Sequence, residues 1–233
     1  MTYFRQLFDT ASFTYTYLLG EFDMHSAVLI DPVQEHADLY LSLLQEQGLT
    51  LRYVLETHVH ADHVTGASAL RKMTGAQTAV SIHSGVSCAD VQLQGGETLY
   101  FGDEVIQVLA TPGHTPGCVS YLWRDRLFTG DALLIGGCGR TDFQGGNAGT
   151  LYDSITRQIW PLADETLIYP GHDYHHRHVS SVAQEREINP RLSGKSRDEF
   201  IAIMNQLNLP QPDLIDVAVP ANLQCGNEIA YAA

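Results

Sequence analysis

Four short polar segments, each directly behind an apolar run, constrain this chain more than any other feature. Leu51–Leu55 leads into Thr57-His58-Val59-His60-Ala61-Asp62-His63, and Val105–Ala110 into Thr111-Pro-Gly-His114-Thr-Pro-Gly117. Tyr121–Phe128 leads into Thr129-Gly130-Asp131, and Thr166–Tyr169 into Pro170-Gly171-His172. A strand that ends in such a turn aims side chains at one edge of a sheet, where scaffolds carry functional loops. Singly, Gly113, Gly130 and Gly171 read as turns, His114 and His172 as hydrogen-bonded histidines, and Asp131 as a helix cap. The stretch His58–His63 differs, packing three imidazoles and a carboxylate into six residues. No core requires that density, and it matches metal-ligand chemistry. A solvated turn accounts for one such segment but not for four.

The pattern of apolar residues predicts strands over 14–20, 27–31, 51–56, 77–81, 98–101, 105–110, 119–123 and 127–129. It predicts helices over 35–47, from Thr65 to near Gly75, and over 150–160, 178–188 and 197–207, with Thr65 and Ser68 as possible caps. Six of the fourteen residues from Gly136 to Gly149 are glycine, so this loop can approach a ligand closely, and Arg140 within it is a candidate binding residue. No repeat, linker or low-complexity segment divides the chain, and strands with helices in both halves fit two sheets with helices outside.

With 233 residues, 44% hydrophobic and 17% charged, the chain can bury most of its surface in a core. Its 13 basic against 27 acidic residues disfavour nucleic acid and anionic membrane as partners, since both require a positive footprint. Cys88, Cys118, Cys138 and Cys225 are widely spaced without a CxxC pair, and read as free thiols in a reducing compartment. Cys88 and Cys118 are expected as buried small apolar residues, and Cys138 near a substrate pocket. Residues 1–9 carry no apolar signal core and no run reaches a membrane span, so the expectation is a soluble, cytoplasmic protein.

His58, His60, Asp62 and His63, followed by His114, Asp131 and His172, resemble the metal motif of the metallo-β-lactamase superfamily with all seven ligand positions filled. Within it, Gly130-Asp-Ala-Leu-Leu-Ile135 and Gly137-Cys-Gly-Arg-Thr-Asp-Phe143 are similar to the persulfide dioxygenases, also called sulfur dioxygenases. The likeness continues through His172-Asp-Tyr174, Asn189-Pro-Arg-Leu192, Asn205-Gln-Leu-Asn-Leu-Pro210 and Val219-Pro-Ala-Asn222, covering nearly the whole chain. It implies an α+β fold, an αββα sandwich of two mixed β-sheets flanked by helices. It further implies one metallo-β-lactamase-like domain over 1–233 with a short C-terminal helical extension.

The resemblance also implies an activity in sulfide oxidation and sulfur metabolism: oxidation of glutathione persulfide with O2 and water to sulfite and glutathione. The implied cofactor is one non-haem Fe(II) per chain, held by His58, His114 and Asp131, a two-histidine, one-carboxylate set that suits this ion. His60, Asp62, His63 and His172 would then orient ligands and hydrogen-bond water. The alternative is a glyoxalase II-type thioesterase acting on a glutathione thioester with two Zn. There His58, His60 and His114 would hold one ion, Asp62, His63 and His172 the other, and Asp131 would bridge. The Gly137–Phe143 stretch and the short, lysine-poor C-terminal region favour the dioxygenase. Arg140 is expected on a glutathione carboxylate or in a structural salt bridge, and Tyr174 as a hydrogen-bond donor at the pocket mouth or a core aromatic. Asp173 is expected to fix a neighbouring loop, and His175, His176 and His178 to form an exposed helix start. A homodimer is compatible with the sequence.

Overall fold

Strands β1 (Thr2–Phe8), β2 (Tyr15–Glu21), β3 (Ser26–Ile30), β4 (Thr50–Leu55), β5 (Gln77–Ser81) and β6 (Val91–Leu93) form one mixed sheet in that order. β1, β2 and β3 pair antiparallel, whereas β3 to β6 run parallel. The computed structural model describes residues 1–227. β2 and β3 are buried along their whole length, as near-continuous apolar runs covered on both faces must be. A single turn of 3-10 helix at Gln34–His36 leads into α1 (Ala37–Gln47), which buries Ala37, Tyr40, Leu43 and Leu44 at helical spacing. It ends where Gly48, at φ 63°, takes the left-handed conformation that closes helix C-termini. α1 and α2 (Ala67–Thr74) share one apolar cluster with the sheet, including Leu18, Leu29, Leu51, Val54 and Leu70.

A second mixed sheet holds β7 (Thr98–Phe101), β8 (Glu104–Ala110), β9 (Val119–Trp123), β10 (Arg126–Gly130), β11 (Leu167–Pro170) and β12 (Ser180–Ser181). β10 pairs parallel with β11, and antiparallel with β9. Helices α3 (Ala148–Ser154), α4 (Val182–Ile188) and α5 (Arg197–Asn205) join Leu127 and Ile168 of this sheet in a second cluster, with Leu151, Val182 and Phe200 fully buried. The last helix, α6 (Ile215–Asn222), carries Pro220 in its interior.

Packing divides the chain into two compact units. The first comprises Met1–Leu93, Tyr100–Val105 and the segment from Gln211 onward; the second comprises Gln94–Leu99 and Ile106–Pro210. The α+β class with two mixed sheets and flanking helices is the expected one. Differences lie at elements whose sequence signal is weak. β1 and β6 emerge where no strand was predicted, as does α6, whose proline masks the helical pattern. The predicted helix 150–160 begins two residues earlier and passes into a π-helical turn at Ile155–Ile159. The predicted helix 178–188 begins at Val182, after β12, so His175, His176 and His178 are exposed but not helical.

The reading of four free thiols is corrected: Cys88 and Cys225 form a disulfide, and Cys118 and Cys138 remain as buried thiols. The two bonded residues lie 137 positions apart, a pairing that spacing cannot reveal. The compartment expected from unpaired cysteines loses that support. Among the described residues, no helix is long and apolar enough to cross a membrane.

Candidate metal centre

Each of the four ligand-bearing segments follows the C-terminal end of a strand: β4, β8, β10 and β11. In the first unit the chain turns after β4 around Asp31, which stands at the end of β3 with φ 50°. Asp31 accepts hydrogen bonds from Thr57 N and Thr57 Oγ1, both at 2.7 Å. With its proton directed at Asp31, the Thr57 hydroxyl oxygen accepts from His58 Nδ1 at 2.9 Å, which puts the His58 lone pair on Nε2. His63 Nδ1 donates to Asp62 Oδ2 at 2.8 Å, so its lone pair is likewise on Nε2. That nitrogen is buried without a hydrogen-bond partner among the described residues.

His60 is held the other way round. Its Nε2 faces Asp31 Oδ1 at 3.1 Å and Glu56 Oε2 at 3.4 Å, and its Nδ1 lies 4.0 Å from Asp62 Oδ1. Burial opposes charge on His60, yet Asp31, Glu56 and Asp62 outweigh it and hold its pKa well above the ordinary histidine value. Burial pushes Glu56 up. The pocket around His60 is thus built to receive positive charge, as a proton or as a metal ion. His60, Asp62 and His63 each present a ligand atom within 4.8 Å of the others, and the His58 ring lies 4.1 Å from that of His60. Imidazole nitrogens and carboxylates with no thiolate are a ligand set that fits Fe(II) or Zn(II), an ion taking the place of the proton on His60.

In the second unit, the turn after β8 is closed by Thr111 N on Cys118 O at 3.0 Å and Gly113 N on Thr115 O at 3.0 Å. Gly113, at φ 140°, packs against Leu151, whose Cα would stand 2.3 Å from an added Cβ. His114 Nδ1 donates to the carbonyl of Arg140 at 2.7 Å, so its lone pair is on Nε2, which lies 3.8 Å from Asp131 Oδ2. His172 Nδ1 donates to the other Asp131 oxygen at 2.7 Å. The backbone of the glycine-rich loop presses against both groups: Gly139 N donates to Asp131 O at 2.8 Å. A Cβ on Gly139 would fall 2.3 Å from that oxygen and 2.9 Å from the His114 ring. The second unit therefore gathers His114, Asp131 and His172, each with its orientation fixed by a neighbour.

Other expected residues take definite places. The Arg140 guanidinium grips Asp142 through Nε at 2.7 Å and Nη2 at 2.8 Å, donates to the carbonyls of Leu209 and Pro210, and stacks 4.3 Å from the Phe143 ring. The pair with Asp142 is the salt bridge that was one of the two expectations for Arg140. The Arg140 hydrogen bond in turn holds the Asp142 pKa low. Tyr174 is 59% exposed and stacks on His172 at 6.1 Å, which removes the core-aromatic option. Asp173 accepts from His175 N and Arg177 N and pairs with the Arg177 guanidinium, fixing the following loop. Cys138 is buried in the apolar cluster of α3 and α5, with its Sγ 3.7 Å from Arg191 Nη1, and burial pushes its thiol up to about 11.

Sequence reasoning missed Asp31, Glu56, Thr57 and Asn222. Asn222 Nδ2 donates to His60 O at 2.9 Å and His63 O at 2.8 Å, and its Oδ1 accepts from Thr65 N at 2.9 Å. Thr57 and Glu56 adjoin the motif and could have been suspected; Asn222 lies 162 residues from His60 and carries no local signal.

The family model of the metallo-beta-lactamase superfamily matches residues 9–172. The mouse protein named persulfide dioxygenase ETHE1, mitochondrial, is 52% identical over 225 residues, which is 95% of this chain and 88% of that protein. Its human counterpart is 51% identical with the same coverage. The crystal structure of ETHE1 from Myxococcus xanthus superimposes with a TM-score of 0.95 at 58% identity, over 97% of this chain and 100% of that one. The chain belongs to the metallo-β-lactamase superfamily and, within it, to the ETHE1 persulfide dioxygenase family.

Proposed function

We propose that this protein is a persulfide dioxygenase that converts glutathione persulfide, O2 and water to glutathione and sulfite, with one Fe(II) held by His58, His114 and Asp131. The observation that carries this reading is family membership at 52% identity across 95% of the chain, including the segment that positions His114 and Asp131. The reaction balances as GSSH + O2 + H2O giving GSH, SO3²⁻ and two protons. When bound, Fe(II) supplies the open coordination positions and one-electron chemistry that dioxygen requires. The protein contributes orientation. Thr57 Oγ1 and the Arg140 carbonyl lock His58 and His114 with Nε2 as the donor, and His172 turns the Asp131 carboxylate. Tyr174, exposed beside His172, would donate a hydrogen bond to a polar substrate. We read the two compact units as parts of one domain over residues 1–233 with a short C-terminal helical extension.

A binuclear Zn thioesterase is the weaker reading. It is favoured by the His60, Asp62 and His63 cluster, whose buried His63 Nε2 would serve a second ion. Metal stoichiometry separates the two. Fe(II)-loaded wild type should hold about one ion per chain, and His58→Ala, His114→Ala or Asp131→Ala should lose it while His63→Ala keeps it. About two ions per chain, or loss in His63→Ala as complete as in Asp131→Ala, would overturn the assignment.

A further inference from the structure

The Cys88–Cys225 bond lies outside the ligand-bearing segments but is wired to one of them. Asn222, the last residue of α6 and three positions before Cys225, is buried, with its amide bonded to His60 O, His63 O and Thr65 N. These bonds brace the turn that carries the metal-motif residues of the first unit. α6 cannot do this unaided: it is eight residues long, has no side-chain N-cap and contains Pro220. A helix of that length is marginal without tertiary anchors, and an interior proline removes a backbone bond. Its anchors lie just beyond it. Cys225 O accepts from Ser68 N at 3.0 Å, Gly226 packs so closely that a Cβ would lie 2.1 Å from Thr65 O, and the disulfide ties Cys225 to the β5–β6 connection. Cys225 itself holds φ 60°, a conformation that a non-glycine residue keeps only when its surroundings enforce it. Cys225, Asn222, His58 and His60 line one narrow cavity of about 20 Å³, large enough for a single water, so the disulfide end and the ligand loop share a wall.

We propose that Cys88–Cys225 is a reversible redox modification site, with Asn222 the positioning residue through which its state reaches the metal-binding loop. Oxidised, the bond clamps α6 and the loop; reduced, the clamp loosens and bound metal leaves faster. The reductant is a dithiol. One of its thiolates attacks a cysteine sulfur and breaks the S–S bond, its second thiol resolves the mixed disulfide, and Cys88 and Cys225 leave as thiols with two electrons and two protons gained. The inference rests on His58 being a metal ligand, as in the function proposed above, but not on which reaction the metal serves.

The test uses the full chain loaded anaerobically with Fe(II) or with Zn(II). Half is reduced with dithiothreitol and freed of it by gel filtration, and alkylation with mass spectrometry counts the thiols. Metal transfer to ferrozine or to pyridylazoresorcinol is then timed. Reduced wild type and Cys88→Ser should release either metal roughly tenfold faster than the oxidised protein, the scale on which groups supporting a ligand act. In Asn222→Ala, release should be fast in both redox states, so that the redox dependence disappears. Amide hydrogen exchange over residues 57–65 should rise on reduction in wild type. Equal release rates before and after reduction, even with a lowered Tm, would make the bond a staple only and overturn the proposal. So would alkylation of all four cysteines in air-oxidised protein, or a redox dependence that persists in Asn222→Ala. Because Zn(II) serves as well as Fe(II), failure of the dioxygenase reading would leave these outcomes intact.

Discussion

Gly139 is where the smallest change should have the largest effect on the second-unit ligands. A methyl group there meets the Asp131 carbonyl and the His114 ring at 2.3 and 2.9 Å, and neither is a flexible side-chain end. Gly139→Ala should lower metal affinity about tenfold or more, with the far-UV circular dichroism of wild type, as read by metal titration. Asp173 gives a pH-dependent prediction. Burial raises its pKa, but the N–H groups of Arg177 and His175 and the Arg177 guanidinium outweigh that and hold it below the ordinary aspartate value. A carboxylate with a depressed folded-state pKa contributes stability above its unfolded-state pKa and loses it as pH falls through the folded one. Asp173→Asn should therefore melt lower than wild type at neutral pH, and the gap in Tm should close under acid. A gap that stays constant down to acid pH would show that the carboxylate charge contributes nothing. At this scale the sequence was most legible where ligands cluster. His58 to His63, His114, Asp131 and His172 stand out because polar groups crowd behind apolar runs. Asp31 and Asn222 do not, since each reaches the loop only through the fold.

Among the elements, α5 illustrates a local signal that survives folding. Ser196 caps it, accepting from Glu199 N, while the Glu199 carboxylate accepts from Ser196 N at 2.7 Å, and the helix buries Phe200. Ser196→Ala should cost about 1 kcal/mol in chemical denaturation. The glycine-rich loop depends on Arg140 in the same way, through Asp142 and the carbonyls of Leu209 and Pro210. Because the Arg140 carbonyl also orients His114, Arg140→Ala should lower kcat and metal occupancy together rather than raise KM alone, and Arg140→Lys should not rescue it, as lysine lacks the planar fork. A pure KM effect with full metal content would return Arg140 to substrate binding. Strands and helices with clean apolar periodicity were readable to within a few residues. β1 escaped because Thr2–Phe8 is half-buried and mixes polar with apolar residues without alternation, and α6 because Pro220 interrupts it.

Across the whole molecule, the disulfide closes a loop between residues 137 apart. Long closed loops restrict the unfolded chain most, by about 4 to 5 kcal/mol in the entropic account, so reduction should lower Tm as well as loosen the metal loop. Removal of metal by a chelator should lower Tm further, because an ion bound only by the folded state stabilises it by mass action. Oxygen consumption reads the proposed chemistry itself. Protein loaded anaerobically with Fe(II) is given glutathione persulfide in an oxygen-electrode vessel, sulfite is assayed in the same sample, and Zn(II)-loaded protein serves as the comparison. Persulfide dioxygenase activity requires oxygen uptake matched one-to-one by sulfite with Fe(II), and none with Zn(II). No uptake by fully iron-loaded protein, or equal turnover with Zn(II), would contradict it and move the assignment to thioester hydrolysis.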